Sequence, residues 1–135
     1  MAEYYVSKDD SMFELDKVTA LLRQTSWAAD RPEEMIRSAM EHSVNYGVYD
    51  GNGNMAGYAR IITDYTRVFY LMDVVIDEKL RGQGLGTLLL DAVMEDVGHL
   101  WGILHTEDAC GFYEKYGFTQ DPERQKHTME KPGIT

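Results

Sequence analysis

Apolar residues recur along this chain at two spacings, and the switches between them mark out its elements. Tyr4-Tyr5-Val6 reads as a short strand. Leu15, Val18, Leu21 and Leu22 stand at helical spacing, on one face of a first helix that runs to about Gln24. Ser11 and Glu14 before them have the spacing of a capping box. After a break at 25–30, Asp30 and Pro32 read as a cap and an early helical proline, and Met35, Ile36, Ala39 and Met40 give a second helix its stripe, ending near His42. Residues 44–49 and 55–63 read as strands joined by the hairpin turn Asp50-Gly51-Asn52-Gly53-Asn54. Asp64-Tyr65-Thr66-Arg67 then turns the chain into residues 68–76, which are almost continuously apolar, as in a strand buried on both faces.

The helical spacing returns with Leu85, Leu88, Leu89, Ala92 and Val93, and Gly98 reads as its stop. Residues 100–104 are another buried strand. A fourth helix follows, with Asp108 as cap and Gly117 as exit. Residues 118–120 and 127–129 are strand candidates on either side of an Asp121-Pro122 turn, and the tail 131–135 reads as loose. This order mixes hairpins with crossover helices, so the pattern predicts an α/β fold whose sheet is partly antiparallel and partly parallel.

Between the central strand and the third helix lies Arg81-Gly82-Gln83-Gly84-Leu85-Gly86-Thr87. Glycines let a ligand approach backbone N–H groups closely. The helix behind them offers unpaired N–H groups and roughly half a positive charge. Together these make a phosphate site. The Walker pattern is excluded, because no Lys-Ser or Lys-Thr pair follows. The dinucleotide fingerprint also fails, because the sixth position is Thr87 from Gly82 and Leu89 from Gly84. What fits is Arg-x-x-Gly-x-Gly, as Arg81, Gly84 and Gly86.

That pattern resembles the pyrophosphate loop of the GCN5-related N-acetyltransferases (GNAT superfamily). A second stretch, Phe112-Tyr113-Glu114-Lys115-Tyr116-Gly117-Phe118, resembles the end of the family's fourth helix, in the right order after one strand. The resemblance implies a mixed central sheet flanked by about four helices, with the fourth and fifth strands splayed to admit a pantetheine arm. It implies acetyl-coenzyme A as co-substrate and an amine acceptor, with direct transfer in a ternary complex. Arg81, Gly82, Gln83, Gly84, Leu85, Gly86 and Thr87 would hold the pyrophosphate. Val74, Val75 and Ile76 would pair with the pantetheine amides as an added strand does and supply the oxyanion donor. Asp108, Gly111 and Phe112 would also meet the cofactor. Homodimers are common in the family.

Transfer from a thioester to an amine needs a neutral amine, a donor for the oxyanion and an acid for the thiolate. The resemblance maps the acid to Tyr113, although Ala109, Phe112, Tyr113 and Tyr116 also form an ordinary core stripe. Asp73 interrupts an apolar strand, where a carboxylate needs a partner or a purpose. It is the candidate base or a structural partner of Arg60 or Arg67, with Asp64 and Tyr70 as rivals. Trp27 and Arg31 lie where the family walls its acceptor site, and a core tryptophan and a surface arginine are the alternative. The other function class on the same fold is a non-catalytic acyl-coenzyme A-binding module.

At 135 residues the expectation is one domain, 1–135. A single cysteine, Cys110, suits a reducing cytoplasm, and the N-terminus shows no signal core. No apolar run reaches the roughly 20 residues of a membrane span. The net charge of −10 without basic runs argues against nucleic acid and makes local cations such as Arg81 and Lys79 more important to a polyanionic cofactor. His42, His99, His105 and His127 show no metal-ligand spacing with each other or with Cys110.

Overall fold

In the computed structural model, which describes residues 3–133, five strands make one sheet: β1 (Tyr4–Ser7), β2 (Val44–Asp50), β3 (Met55–Thr63), β4 (Val68–Ile76) and β5 (Trp101–Ile103). They lie in sequence order; the first four are antiparallel and β5 is parallel to β4. The helices are α1 (Leu15–Leu22), α2 (Glu33–Glu41), α3 (Leu85–Val97), α4 (Cys110–Glu114) and α5 (Pro122–Gln125). This is the expected mixed α/β sheet. The described chain forms two compact units, one up to His105 and one from Thr106 on.

In the first unit the sheet is covered on both faces. On one, Val18, Leu21 and Leu22 of α1 and Ile36 of α2 pack with Tyr58 of β3 and Val75 of β4. On the other lies α3, whose Leu85, Leu89, Leu90, Val93 and Val97 are buried. The Tyr46 hydroxyl of β2 donates to Asp96 of α3 at 2.7 Å.

β4 has one residue too many for its partner. Leu71 stands opposite Ile61 and Met72 opposite Arg60, but Tyr58 pairs with Val75. The extra residue is a β-bulge, and within it Asp73 has φ +56°, in the left-handed region. Cross-strand neighbours share a face, and Ile61 and Tyr58, three apart on β3, lie on opposite faces. Leu71 and Val75 therefore point to opposite sides of the sheet although they are four apart. The burial pattern of β4 alternates without a break, and the bulge hands it from the α3 side to the α1–α2 side.

Several local expectations are corrected. Ser11 does not cap α1. Asp9, a charged and stronger acceptor, takes the Ser11 N–H at 3.0 Å and its hydroxyl at 2.8 Å, making a single tight turn at Asp10–Met12. Asp30 does not cap α2, because Pro32, in extended backbone, directly precedes it. In the second unit, Thr106 rather than Asp108 serves the start of α4, its hydroxyl accepting from Ala109 N–H at 3.1 Å. Gly117 does end that helix turn, at φ +90°. The strands expected at 118–120 and 127–129 do not form. Asp121 caps instead, accepting from Glu123 N–H at 2.9 Å, and Pro122 opens the short α5. Of the tail, 131–133 has no regular structure, and residues 134–135 lie outside the described residues.

Candidate active site

β5 pairs only with the first three residues of β4, Val68, Phe69 and Tyr70. From residue 71 to 76 no strand of this sheet accompanies the outer edge of β4, so Val74, Val75 and Ile76 carry backbone groups at a strand edge. The bulge falls within this stretch and changes which way those groups point. β5 ends at Ile103, so its pairing with β4 stops short of the stretch where the fourth and fifth strands are expected to splay.

Asp73 is the buried polar group of the stretch. Its Oδ2 accepts from Arg60 Nε at 2.7 Å and from Arg31 Nη1 at 2.8 Å. The Asp73 side chain is 5% exposed, those of Arg60 and Arg31 13% and 20%. Two cations on one carboxylate leave the cluster with one net positive charge. Arg60 also donates to Ser43 Oγ at 3.2 Å. Beside it, Asn45 donates to Met40 O at 2.9 Å and its Oδ1 accepts from the Tyr58 hydroxyl. Burial pushes the Tyr58 hydroxyl up, so it stays protonated as a donor. A polar network therefore ties the end of α2 to β2, β3 and the bulge.

The segment between α1 and α2 is ordered by its own hydrogen bonds. The Thr25 hydroxyl donates to Leu22 O at 2.7 Å and accepts from Ala28 N–H at 3.0 Å, and Arg23 donates to Ala28 O at 3.1 Å. Trp27 is held out of the core, 58% exposed. The alternative of a core tryptophan and a surface arginine therefore does not hold, because Arg31 is ion-paired beneath the surface.

Below β4 the chain prepares the glycine loop. Asp77 N–H donates to Ala56 O at 2.8 Å. Gln24, which sequence patterning does not single out, accepts from Glu78 N–H at 2.9 Å and so anchors α1 to the turn Glu78–Leu80. Arg81, Gly82, Gln83 and Gly84 are exposed. Arg81 Nε donates to Ile76 O at 3.4 Å, and Gln83 to Leu80 O at 3.2 Å. Gly82 and Gly84 have φ +85° and +81°, which favours glycine, and a Cβ added at either would meet no atom within 4 Å. Gly84 directly precedes α3, and no side chain caps that helix or puts an acid in its first turn. The N–H groups of Leu85, Gly86 and Thr87 belong to that first turn, where N–H groups have no intrahelical acceptor. An exposed arginine beside a helix N-terminus of this kind suits a phosphate.

Tyr113, in the second unit, is buried on α4 and packs edge-on to Phe112 and Phe118, with centroids 5.1 and 6.1 Å away. Burial pushes its hydroxyl up to about 12, with the Asp108 charge adding to the effect. It stays protonated through the neutral range. Asp64 is the turn former before β4. Its Oδ1 accepts from Thr66, Arg67 and Val68 N–H groups, which hold its carboxyl down at about 2. Tyr70 and His105 share a hydrogen bond between the phenol oxygen and Nδ1, a pairing that sequence spacing does not reveal. Among the described residues no cluster of His, Cys, Asp and Glu is placed to hold a metal, and no helix is long and apolar enough to cross a membrane.

A model of the Acetyltransferase (GNAT) family matches residues 10–118. A crystal structure from Xanthomonas campestris pv. campestris, of a protein assigned to the GNAT family, superposes with a TM-score of 0.88 at 36% identity, over 98% of this chain and 95% of that one. Among curated relatives, Serotonin N-acetyltransferase 2, chloroplastic, from Oryza sativa subsp. japonica is 32% identical over 101 residues. GCN5-related N-acetyltransferase 2, chloroplastic, from Arabidopsis thaliana is 30% identical over 118 residues. These alignments take in 69% and 81% of this chain but only 50% and 45% of the relatives, so the chain spans about half their length.

Proposed function

Because the chain belongs to the acetyltransferase (GNAT) family, we propose that it moves the acetyl group of acetyl-coenzyme A to a primary amine, by direct transfer, as one catalytic domain in the cytoplasm. The observation that carries the reading is the unaccompanied edge of β4 leading straight into a glycine loop and an uncapped helix N-terminus. In this reading the pantetheine amides pair with the backbone of Val74, Val75 and Ile76, and an N–H of that stretch stabilises the oxyanion. The pyrophosphate lies against the N–H groups of 83–87 with Arg81 beside it. Asp108, Gly111 and Phe112 contribute to the cofactor site, and Trp27 and Arg31 to the acceptor site. Tyr113 protonates the departing thiolate.

Asp73 receives a changed role. Its Oδ2 already takes two guanidinium hydrogen bonds, so it serves the reaction by fixing the bulge and Arg31 and not as the base.

The test is thiol release from acetyl-coenzyme A against a panel of amines: a lysine peptide, spermidine and phenethylamine. The expected result is release that depends on one of them, with the acetyl group found on its nitrogen. In the Tyr113→Phe variant the chemical step should slow by about 10²–10⁴-fold, with cofactor affinity and melting temperature little changed. Tight binding of acetyl-coenzyme A with no amine-dependent release would favour the non-catalytic module.

A further inference from the structure

We infer that Tyr70 and His105 form the proton relay that neutralises the acceptor amine, with Tyr70 facing the amine and His105 acting through it as a positioning residue. The inference rests on the acetyltransferase reading above. Tyr70 is the last residue of β4 that β5 accompanies, paired with Ile103. The unaccompanied edge begins at the next residue, so Tyr70 stands where the pairing of β4 with β5 ends. Its cross-strand neighbour on β3 is Ile62, half exposed, which shares its face of the sheet. His105 follows Ile103 by two residues and brings Nδ1 to the Tyr70 oxygen, with ring centroids 5.7 Å apart. His105 itself is exposed.

The carboxylates that flank Tyr70 along the chain are Asp73, bound by Arg31 and Arg60, and Asp64, whose Oδ1 is taken by three backbone N–H groups. The remaining neighbours on these strands, Ile62, Val68, Met72 and Ile103, do not titrate.

The step balances simply. An incoming ammonium gives a proton to the Tyr70 oxygen while the Tyr70 hydroxyl proton passes to His105 Nδ1. The products are a neutral amine, a neutral phenol and an imidazolium, with total charge unchanged. The exposed imidazolium returns its extra proton to water. The amine lone pair is then free to attack the thioester carbonyl.

The test compares wild type with Tyr70→Phe, His105→Ala and His105→Gln, using the panel amine that gives the fastest thiol release. Glutamine still offers an oxygen to the Tyr70 hydroxyl but cannot take its proton. The relay therefore predicts that His105→Gln loses as much kcat/KM near neutral pH as His105→Ala, on the order of 10²-fold, with unchanged melting temperature and acetyl-coenzyme A affinity. It also predicts that the rising limb of the kcat/KM profile moves up by about one pH unit or more. Recovery of wild-type rate and profile in His105→Gln would overturn the relay and leave the pair a structural contact, while the acetyltransferase reading stands. If Tyr70→Phe does not fold, the two surface His105 variants decide alone. If wild type binds acetyl-coenzyme A and acetylates none of the amines, the acetyltransferase reading falls and the relay falls with it.

Discussion

The bulge at Asp73 and the loop at 81–87 both use left-handed backbone, and they hold it by opposite means. Asp73 is a non-glycine residue at φ +56°, a conformation that costs roughly 1–2 kcal/mol for residues with a Cβ. It is kept there by distant partners, Arg31 from the segment between two helices and Arg60 from the neighbouring strand. Gly82 and Gly84 adopt their angles without a Cβ to oppose them, and space lies beside both. The bulge is thus built from buried side chains that restrain one another, whereas the loop is built from exposed backbone. Damage to the first should appear as lost stability, and damage to the second as lost binding.

The largest effect should follow from breaking the first. Asp73→Ala leaves two partly buried guanidinium groups without their carboxylate, a situation that costs about 3–5 kcal/mol. Chemical denaturation should show a loss of that order, accompanied by weaker acetyl-coenzyme A binding as the register of 74–76 relaxes. A loss below about 1 kcal/mol would mean that the cluster does not hold the bulge. Arg81→Ala should behave in the opposite way. Arg81 is exposed, so stability should stay within about 0.5 kcal/mol of wild type. Acetyl-coenzyme A should bind about 2 kcal/mol more weakly, the worth of a charge-assisted contact. Pantetheine, which has no diphosphate, should be indifferent to the change, and calorimetry on both ligands reads the difference. Equal losses for the two would remove Arg81 from the phosphate site.

The same contrast accounts for what the sequence discloses. The loop is local: Arg81, Gly84 and Gly86 sit within six positions, between a strand and a helix that periodicity finds unaided. Strand and helix spacing placed α1, α2, α3 and all five strands of the sheet within a few residues. The bulge left no such trace, because burial alternates evenly through 69, 71, 73 and 75 while the chain changes face. Arg31 lies 42 residues from Asp73 and His105 lies 35 from Tyr70, so these pairs exist only once the sheet is assembled. Two caps escape the pattern because a competing acceptor lies two residues away, Asp9 beside Ser11 and Thr106 beside Asp108. Asp121-Pro122 reads equally as a turn or as a cap with its first helical residue, and only the structure decides.

The smallest effect, and the finest probe of the loop, comes from Gly84. Replacing it by alanine forces a Cβ into φ +81°, at about 1 kcal/mol. Asparagine tolerates that backbone better than alanine, so Gly84→Asn should lose less stability than Gly84→Ala. Neither side chain meets a protein atom near its Cβ, so packing adds nothing to the cost. If the space beside Gly84 is used only by solvent, acetyl-coenzyme A affinity should follow stability, with Asn closer to wild type than Ala. If the diphosphate lies there, the order reverses. Asparagine is the larger side chain and stands closest to the first-turn N–H groups of α3, so it should weaken binding more than alanine while unfolding less readily. Melting temperature and calorimetry on the same two proteins give the two orders directly. Matching orders would reduce the glycine loop to a turn, and crossed orders would place the phosphate against it.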